Sequence, residues 1–204
     1  MKVTSQGRPP RPYRMVARAR SAQATARAII AAARRLFAEL PYDEVSLLAV
    51  AEQSGVTVQT VLRRFGSKDQ LFAAAARERS EEIRTEREAG AAGDISHLVK
   101  HYEHWGDEQL HLIAHEARTP AVRTVTDAGR RYHRDWVARA YGPRLKALPA
   151  PIRRRKLAQL TTITDLTVWG LLRRELALSP SETEAAIKDL ITACLPQGTE
   201  ADPN

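Results

Sequence analysis

A single cysteine, Cys194, in 204 residues excludes an internal disulfide framework and a cysteine-based zinc cluster, and fits a reducing compartment. No apolar run approaches the roughly 20 residues that cross a membrane. The arginine-rich N-terminus is cut by Pro9, Pro10 and Pro12 and has no apolar stretch, so it does not read as a secretory signal. A cytoplasmic protein without membrane association is expected. Aromatic residues make up 5% of the chain against 43% hydrophobic residues, which suits an aliphatic, alanine-rich all-α core better than a β-sandwich. The chain has no phosphate-cradling glycine loop, no His-Glu-x-x-His, no nucleophile elbow and no Cys/His pair. Neither catalysis nor a cofactor is expected.

Acidic residues are missing altogether before Glu39. Up to Lys68 there are twelve Lys or Arg against four Asp or Glu, and beyond it twenty of each, so the whole net charge of +8 sits in the first third. A polyanion is the simplest partner for such a segment.

Residues 1–21 read as a flexible basic arm, because proline and glycine interrupt any period. From Ala22 the apolar positions Ala26, Ile29, Ile30, Ala33, Leu36, Phe37 and Leu40 recur at helical spacing up to Pro41. Ser46 is a good N-cap for a short helix that Gly55 stops, and Thr57 caps a second, Val58 to Arg64. Ser67 and Gln70 form a capping-box pattern that opens a longer helix. Its second half is mostly charge, with Arg77/Glu81 and Arg84/Glu88 at i, i+4, so it should connect rather than be buried. Gly90 and Gly93 mark a break. Five further helices are expected at roughly 94–105, 107–117, 120–141, 152–177 and 181–195, followed by a polar tail, 196–204. The 152–177 helix is apolar nearly all round in its later half (Leu166, Val168, Trp169, Leu171, Leu172), which calls for a cover on both sides, one of them a second copy of the chain. The organisation expected is therefore a helix-turn-helix head at 22–66, a connecting helix and linker at 67–93, and a helical effector and dimerisation domain at 94–195.

Two short helices joined by a tight glycine turn make a blade that fits the roughly 12 Å major groove. The side chains not needed to hold the blade are Val58, Gln59, Thr60, Leu62, Arg63 and Arg64. Gln59 suits adenine, Arg63 or Arg64 suits guanine or phosphate, and Val58 or Leu62 suits a thymine methyl. Ser46, Thr57 and Lys68 stand at helix N-termini, where backbone N–H groups favour phosphate.

The stretch from Ala28 to Phe72, with Ser46-Leu-Leu-Ala-Val-Ala-Glu-Gln-Ser-Gly-Val-Thr57 and Thr60-Val-Leu-Arg-Arg-Phe-Gly-Ser-Lys-Asp-Gln-Leu-Phe72, closely resembles the DNA-binding domain of TetR-family transcriptional regulators. The resemblance implies an all-helical homodimer that binds double-stranded DNA at a near-palindromic operator and takes a small-molecule effector in its C-terminal domain, most often as a repressor. It places Ser46 where the family has a phosphate-touching threonine, and Lys68 at the family's phosphate-binding lysine. Leu62 stands where the family usually has a tyrosine, so a hydroxyl contact to DNA gives way to an apolar one.

Effector contacts are expected from Tyr102, Trp105, Trp136, Thr164, Asp165 and Trp169, aromatics with a few polar groups on helices. Asp165 falls among apolar positions of a helix expected to be buried, and a buried carboxylate needs a partner, either an arginine or a cationic ligand. His97, His101 and His104 share one helical face, as do His111 and His115. Ile95, Leu98, Tyr102 and Trp105 set the apolar side and turn the first three to solvent, so no metal site is assigned. A helical protein–protein adaptor without sequence-specific DNA binding is the competing reading. It leaves the concentration of charge beside the helix-turn-helix without a reason.

Overall fold

A computed structural model describes residues 11–195; within them every regular element is helical and no helix is long and apolar enough to cross a membrane. Most of the expected arm (1–10) and the tail (196–204) lie outside the described residues. The chain divides into two compact units, Met1–Arg77 and Glu78–Asn204.

In the first unit α1 runs Arg11–Glu39, and so begins about ten residues before the expected start at Ala22. Pro12 falls in its first turn, where a missing N–H leaves no hydrogen bond unmade, and the alanines and arginines that follow are strong helix formers. Residues 11–21 are therefore helix and not arm. Ile29, Ala32, Ala33, Leu36 and Phe37 form its buried stripe, while Ala26, Ile30 and Leu40 are only partly covered. A short 3-10 turn, Tyr42–Glu44, leads to α2 (Leu47–Ser54) and α3 (Val58–Phe65). α2 packs on α1 and α3 on α2 through Val45, Val50, Ala51 and Val61, all buried. α4, Lys68–Glu88, closes this core with Leu71, Phe72 and Ala75. Phe72 meets the Phe37 and Tyr42 rings edge-on, at centroid distances of 4.8 and 5.2 Å.

In the second unit the end of α4 is joined by α5 (Ile95–His115), α6 (Pro120–Tyr141), α7 (Ala150–Ile163), α8 (Leu166–Gly170, running into a π-helical turn over Leu171–Glu175) and α9 (Pro180–Cys194). α5 packs against α6, α8 and α9, and α7 against α6 and α9. The core holds Leu98, Tyr102, Trp136, Val137, Leu145, Leu160, Trp169 and Ile187.

Two further helix boundaries differ from expectation. Gly106 does not separate two helices but lies buried inside α5, where a Cβ would stand 2.4 Å from Cζ3 of Trp169; the glycine is there for close approach, not for a turn. Conversely, the single helix expected over 152–177 breaks at Thr164. The Thr164 hydroxyl donates back to the Leu160 carbonyl, 2.7 Å away, and the Asp165 carboxylate accepts from the Thr167 N–H at 2.9 Å, which restarts the chain as α8. Short polar side chains that compete for backbone groups end helices in this way.

Candidate nucleic-acid interface and effector site

The two short helices are built by their caps. Ser46 Oγ accepts from the Ala49 N–H at 3.0 Å, and Gly55, at φ +68°, turns the chain through the left-handed region that only glycine enters freely. Thr57 Oγ1 accepts from the Thr60 N–H at 3.2 Å and lies 3.0 Å from the Thr60 hydroxyl. Ser67 Oγ accepts from the Gln70 N–H, while the Ser67 N–H itself donates to the Phe65 carbonyl instead of closing a box with Gln70.

With Val61 buried, α3 leaves Gln59, Leu62, Arg63 and Arg64 exposed and Val58 and Thr60 half-covered, all on one short helix. Leu62 is 41% exposed, a large apolar side chain with no place in the core. Arg64 is not free: its guanidinium donates to the Ala22 carbonyl of α1. A groove of about 520 Å³ runs between α1 and α3, lined by Arg18, Ser21 and Thr25 on one side and by Thr57, Thr60, Arg63 and Arg64 on the other. Arg18, which the sequence pattern assigned to the arm, is thereby placed beside the candidate reading side chains. A helix start read past Pro12 would have found it.

Lys68 Nζ lies 4.4 Å from the centroid of the Tyr42 ring and donates to the Asp43 carbonyl at 3.4 Å. The Tyr42 hydroxyl donates to Asp69, and burial, with Asp69 next to it, drives the phenol well above its ordinary range. Tyr42, which the motif did not single out, thus positions the lysine ammonium.

The effector candidates in the second unit divide into groups. Tyr102, Trp136 and Thr164 are buried together: the Tyr102 hydroxyl donates to the Thr164 carbonyl at 3.0 Å. Trp169 is fully buried against Gly106, and its indole N–H donates to Glu103 at 2.8 Å. Trp105 donates to Glu86 at 2.6 Å and packs on the Arg79 guanidinium at 4.2 Å. Asp165 is not a buried carboxylate in need of an arginine; it is only partly covered and caps α8 through Thr167.

The charged half of α4 is mostly exposed, with one exception at Arg87. Arg84 pairs with Glu81 and Arg79 with Glu108 of α5 in place of the expected i, i+4 pairs, and Arg87 is buried. The Arg87 guanidinium lies 4.7 Å from the Trp136 ring, 5.5 Å from Tyr132 and 5.7 Å from Tyr102. Its Nη2 donates to His133 Nδ1 at 2.8 Å. An arginine has only donors, so Nδ1 accepts and the proton of His133 sits on Nε2, shared between the Thr161 carbonyl and the Thr164 hydroxyl at 3.2 Å each. Burial, and then the Arg87 charge, lower the His133 pKa to about 4. Sequence periodicity missed Arg87 because one arginine in a run of charges carries no mark of burial.

His101 likewise departs from expectation. It is 1% exposed, not turned to solvent, and burial with the nearby Arg87 charge lowers its pKa to about 4. His104 is exposed and contacts the Glu86 carboxylate at 3.2 Å. Among the described residues no cluster of His, Cys, Asp and Glu is arranged to hold a metal ion.

Residues 29–75 match the sequence profile of the bacterial regulatory proteins of the tetR family. No curated protein matches the chain significantly. Solved structures with the same fold include a transcriptional regulator of Rhodococcus sp. (18% identity, 85% of this chain and 95% of that one, TM-score 0.60). The multidrug binding protein EbrR, crystallised with imidazole, is similar at 21% identity, with 85% and 90% of the chains covered and a TM-score of 0.58. A Mesorhizobium loti protein assigned to the TetR-family transcriptional regulators is similar at 19%, with 85% and 96% covered and a TM-score of 0.59. Over residues 29–75 the chain thus carries the sequence pattern of the tetR-family regulatory proteins, and the fold that holds it is shared with solved TetR-family transcriptional regulators.

Proposed function

We propose that the chain is a sequence-specific transcriptional regulator, a homodimer that represses from a near-palindromic operator and is released by a small-molecule effector. One observation carries the DNA-reading part: α3 is capped at both ends, buries Val61 and leaves Gln59, Leu62 and Arg63 exposed, on the unit that holds the chain's excess positive charge. Gln59, Thr60, Leu62 and Arg63 read base edges, with Val58 beside them. Ser46, Thr57, Lys68 and Arg64 hold phosphates at helix N-termini and along the groove. Leu171, Leu176 and Leu190, exposed by 43, 59 and 47%, support the dimer reading, because large apolar side chains on the last helices and the bend between them gain most from a second copy. Residues 94–195 then form the effector and dimerisation domain. EbrR is by its name a multidrug binding protein, which supports a ligand-binding role for a chain of this fold.

Selection of bound fragments from random duplex DNA tests the reading. The expected product is a near-palindrome with half-sites about 34 Å apart. Equal recovery of all sequences at low salt would remove the proposal.

A further inference from the structure

Burying a cation costs free energy unless an opposite charge or a full set of acceptors surrounds it. Arg87 is 7% exposed, and among the described residues no carboxylate lies within ion-pairing distance of its guanidinium. The nearby Glu86 carboxylate is taken by Trp105 and His104, and Glu88 by Tyr132. Three aromatic rings and one neutral imidazole are what Arg87 has, and its Nε–H, fully buried, has no hydrogen-bond acceptor. His101, also buried, has no hydrogen-bond partner on either ring nitrogen and stands 3.7 Å from Glu86. Ring faces partly compensate a guanidinium, but they accept no strong hydrogen bond in its plane.

We propose that Arg87 is the receptor for the carboxylate of an acidic effector whose apolar body packs among Tyr102, Tyr132 and Trp136. A carboxylate accepts from the planar fork of an arginine in a way that alcohols and amines do not match. His133, neutral and holding Nη2, orients the guanidinium and leaves Nε for the ligand. Tyr132 is the half-covered wall of the cage, fixed through its hydroxyl only by a 3.4 Å bond to exposed Glu88, so the ligand enters on that side. This inference rests on the effector-controlled reading above and names the chemistry of the effector.

Full-length protein is titrated at pH 7.5 with benzoate and octanoate, and with benzyl alcohol, octanol, benzylammonium and octylammonium, following tryptophan fluorescence and Tm. At least one carboxylate is expected to bind saturably and at least tenfold more tightly than its alcohol and its amine. Arg87→Gln is expected to raise the Kd of that carboxylate by roughly 10- to 100-fold, the loss of a charge-assisted contact, and Arg87→Lys by less. Carboxylates bound no better than the matching alcohols would overturn the inference, and this wild-type ranking decides the matter even if the variants fail to fold. Unchanged affinity in a folded Arg87→Gln protein would overturn it too. Operator binding is measured alongside. Release by an amine or an alcohol and not by a carboxylate keeps effector control and removes the acidic ligand. A carboxylate bound through Arg87 with DNA affinity unchanged keeps this site and removes effector control.

Discussion

Arg87 Nη2 donates to His133 Nδ1 across 2.8 Å, and this one contact fixes the imidazole as neutral with its proton on Nε2. A proton added to Nδ1 would break the bond and set two buried cations side by side. Stability should therefore fall on acidification. The folded-state pKa values of His133 and His101 lie near 4, below the unfolded value near 6.5, so their contribution is full above pH 6.5 and is lost as the pH falls toward 4. By pH 5 the loss is about 2 kcal/mol for each imidazole. Urea denaturation followed by tryptophan fluorescence at pH 7.5, 6 and 5 checks this, and a midpoint that does not move over that range would contradict it.

Arg63 and Arg64 sit side by side on α3 but differ in commitment, since Arg64 is bonded to Ala22 and Arg63 is exposed. Arg63→Ala should weaken operator binding by about 1 to 3 kcal/mol without a change in Tm. Arg64→Ala should also lower the Tm of the N-terminal unit, by loosening α1 from α3. Replacing both should abolish operator binding and leave the far-ultraviolet circular dichroism of the fold in place. Gel-shift titrations with the selected operator measure the first effects, and a double variant that still binds would show that these two arginines do not carry the reading.

Gly55→Ala isolates backbone strain, because a Cβ at that position would meet nothing within 4 Å. The left-handed conformation at φ +68° should then cost about 1 to 2 kcal/mol, seen as a lower Tm for the N-terminal unit. An unchanged Tm would mean that the turn between α2 and α3 relaxes.

At Gly106 two effects compete. Alanine gains about 1 kcal/mol of helix propensity over glycine, but its Cβ would lie 2.4 to 3.0 Å from three Trp169 ring carbons. The ring is fully buried and tied to Glu103, so it cannot swing aside, and overpacking of about 1 to 3 kcal/mol should win. Thermal unfolding of Gly106→Ala gives the sign directly; a stabilised variant would show that α5 and α8 part easily.

The helix-turn-helix was legible because its signals are local: Ser46, Gly55 and Thr57 act within four residues of where they stand, and each is found doing what its type and position implied. The start of α1 was misread because Pro12 is harmless in a first turn and disruptive only deeper in a helix. Gly106 and Thr164 were misread for the opposite reason. Whether a glycine breaks a helix or seats a neighbour depends on Trp169, which lies sixty-three positions away, and whether a threonine ends a helix depends on what its hydroxyl meets. Arg87 and His101 were out of reach for the same cause: their burial is decided by α5 and α6, not by their own neighbours in sequence.

Glu86 and Arg87 are consecutive on α4, so their side chains leave the helix about 100° apart. One reaches Trp105 and His104 of α5; the other reaches Trp136 and His133 of α6. The last turn of α4 is thus keyed like a shaft with two splines. It cannot roll about its own axis without shearing one set of contacts, and any motion it makes intact must carry α5 and α6 with it.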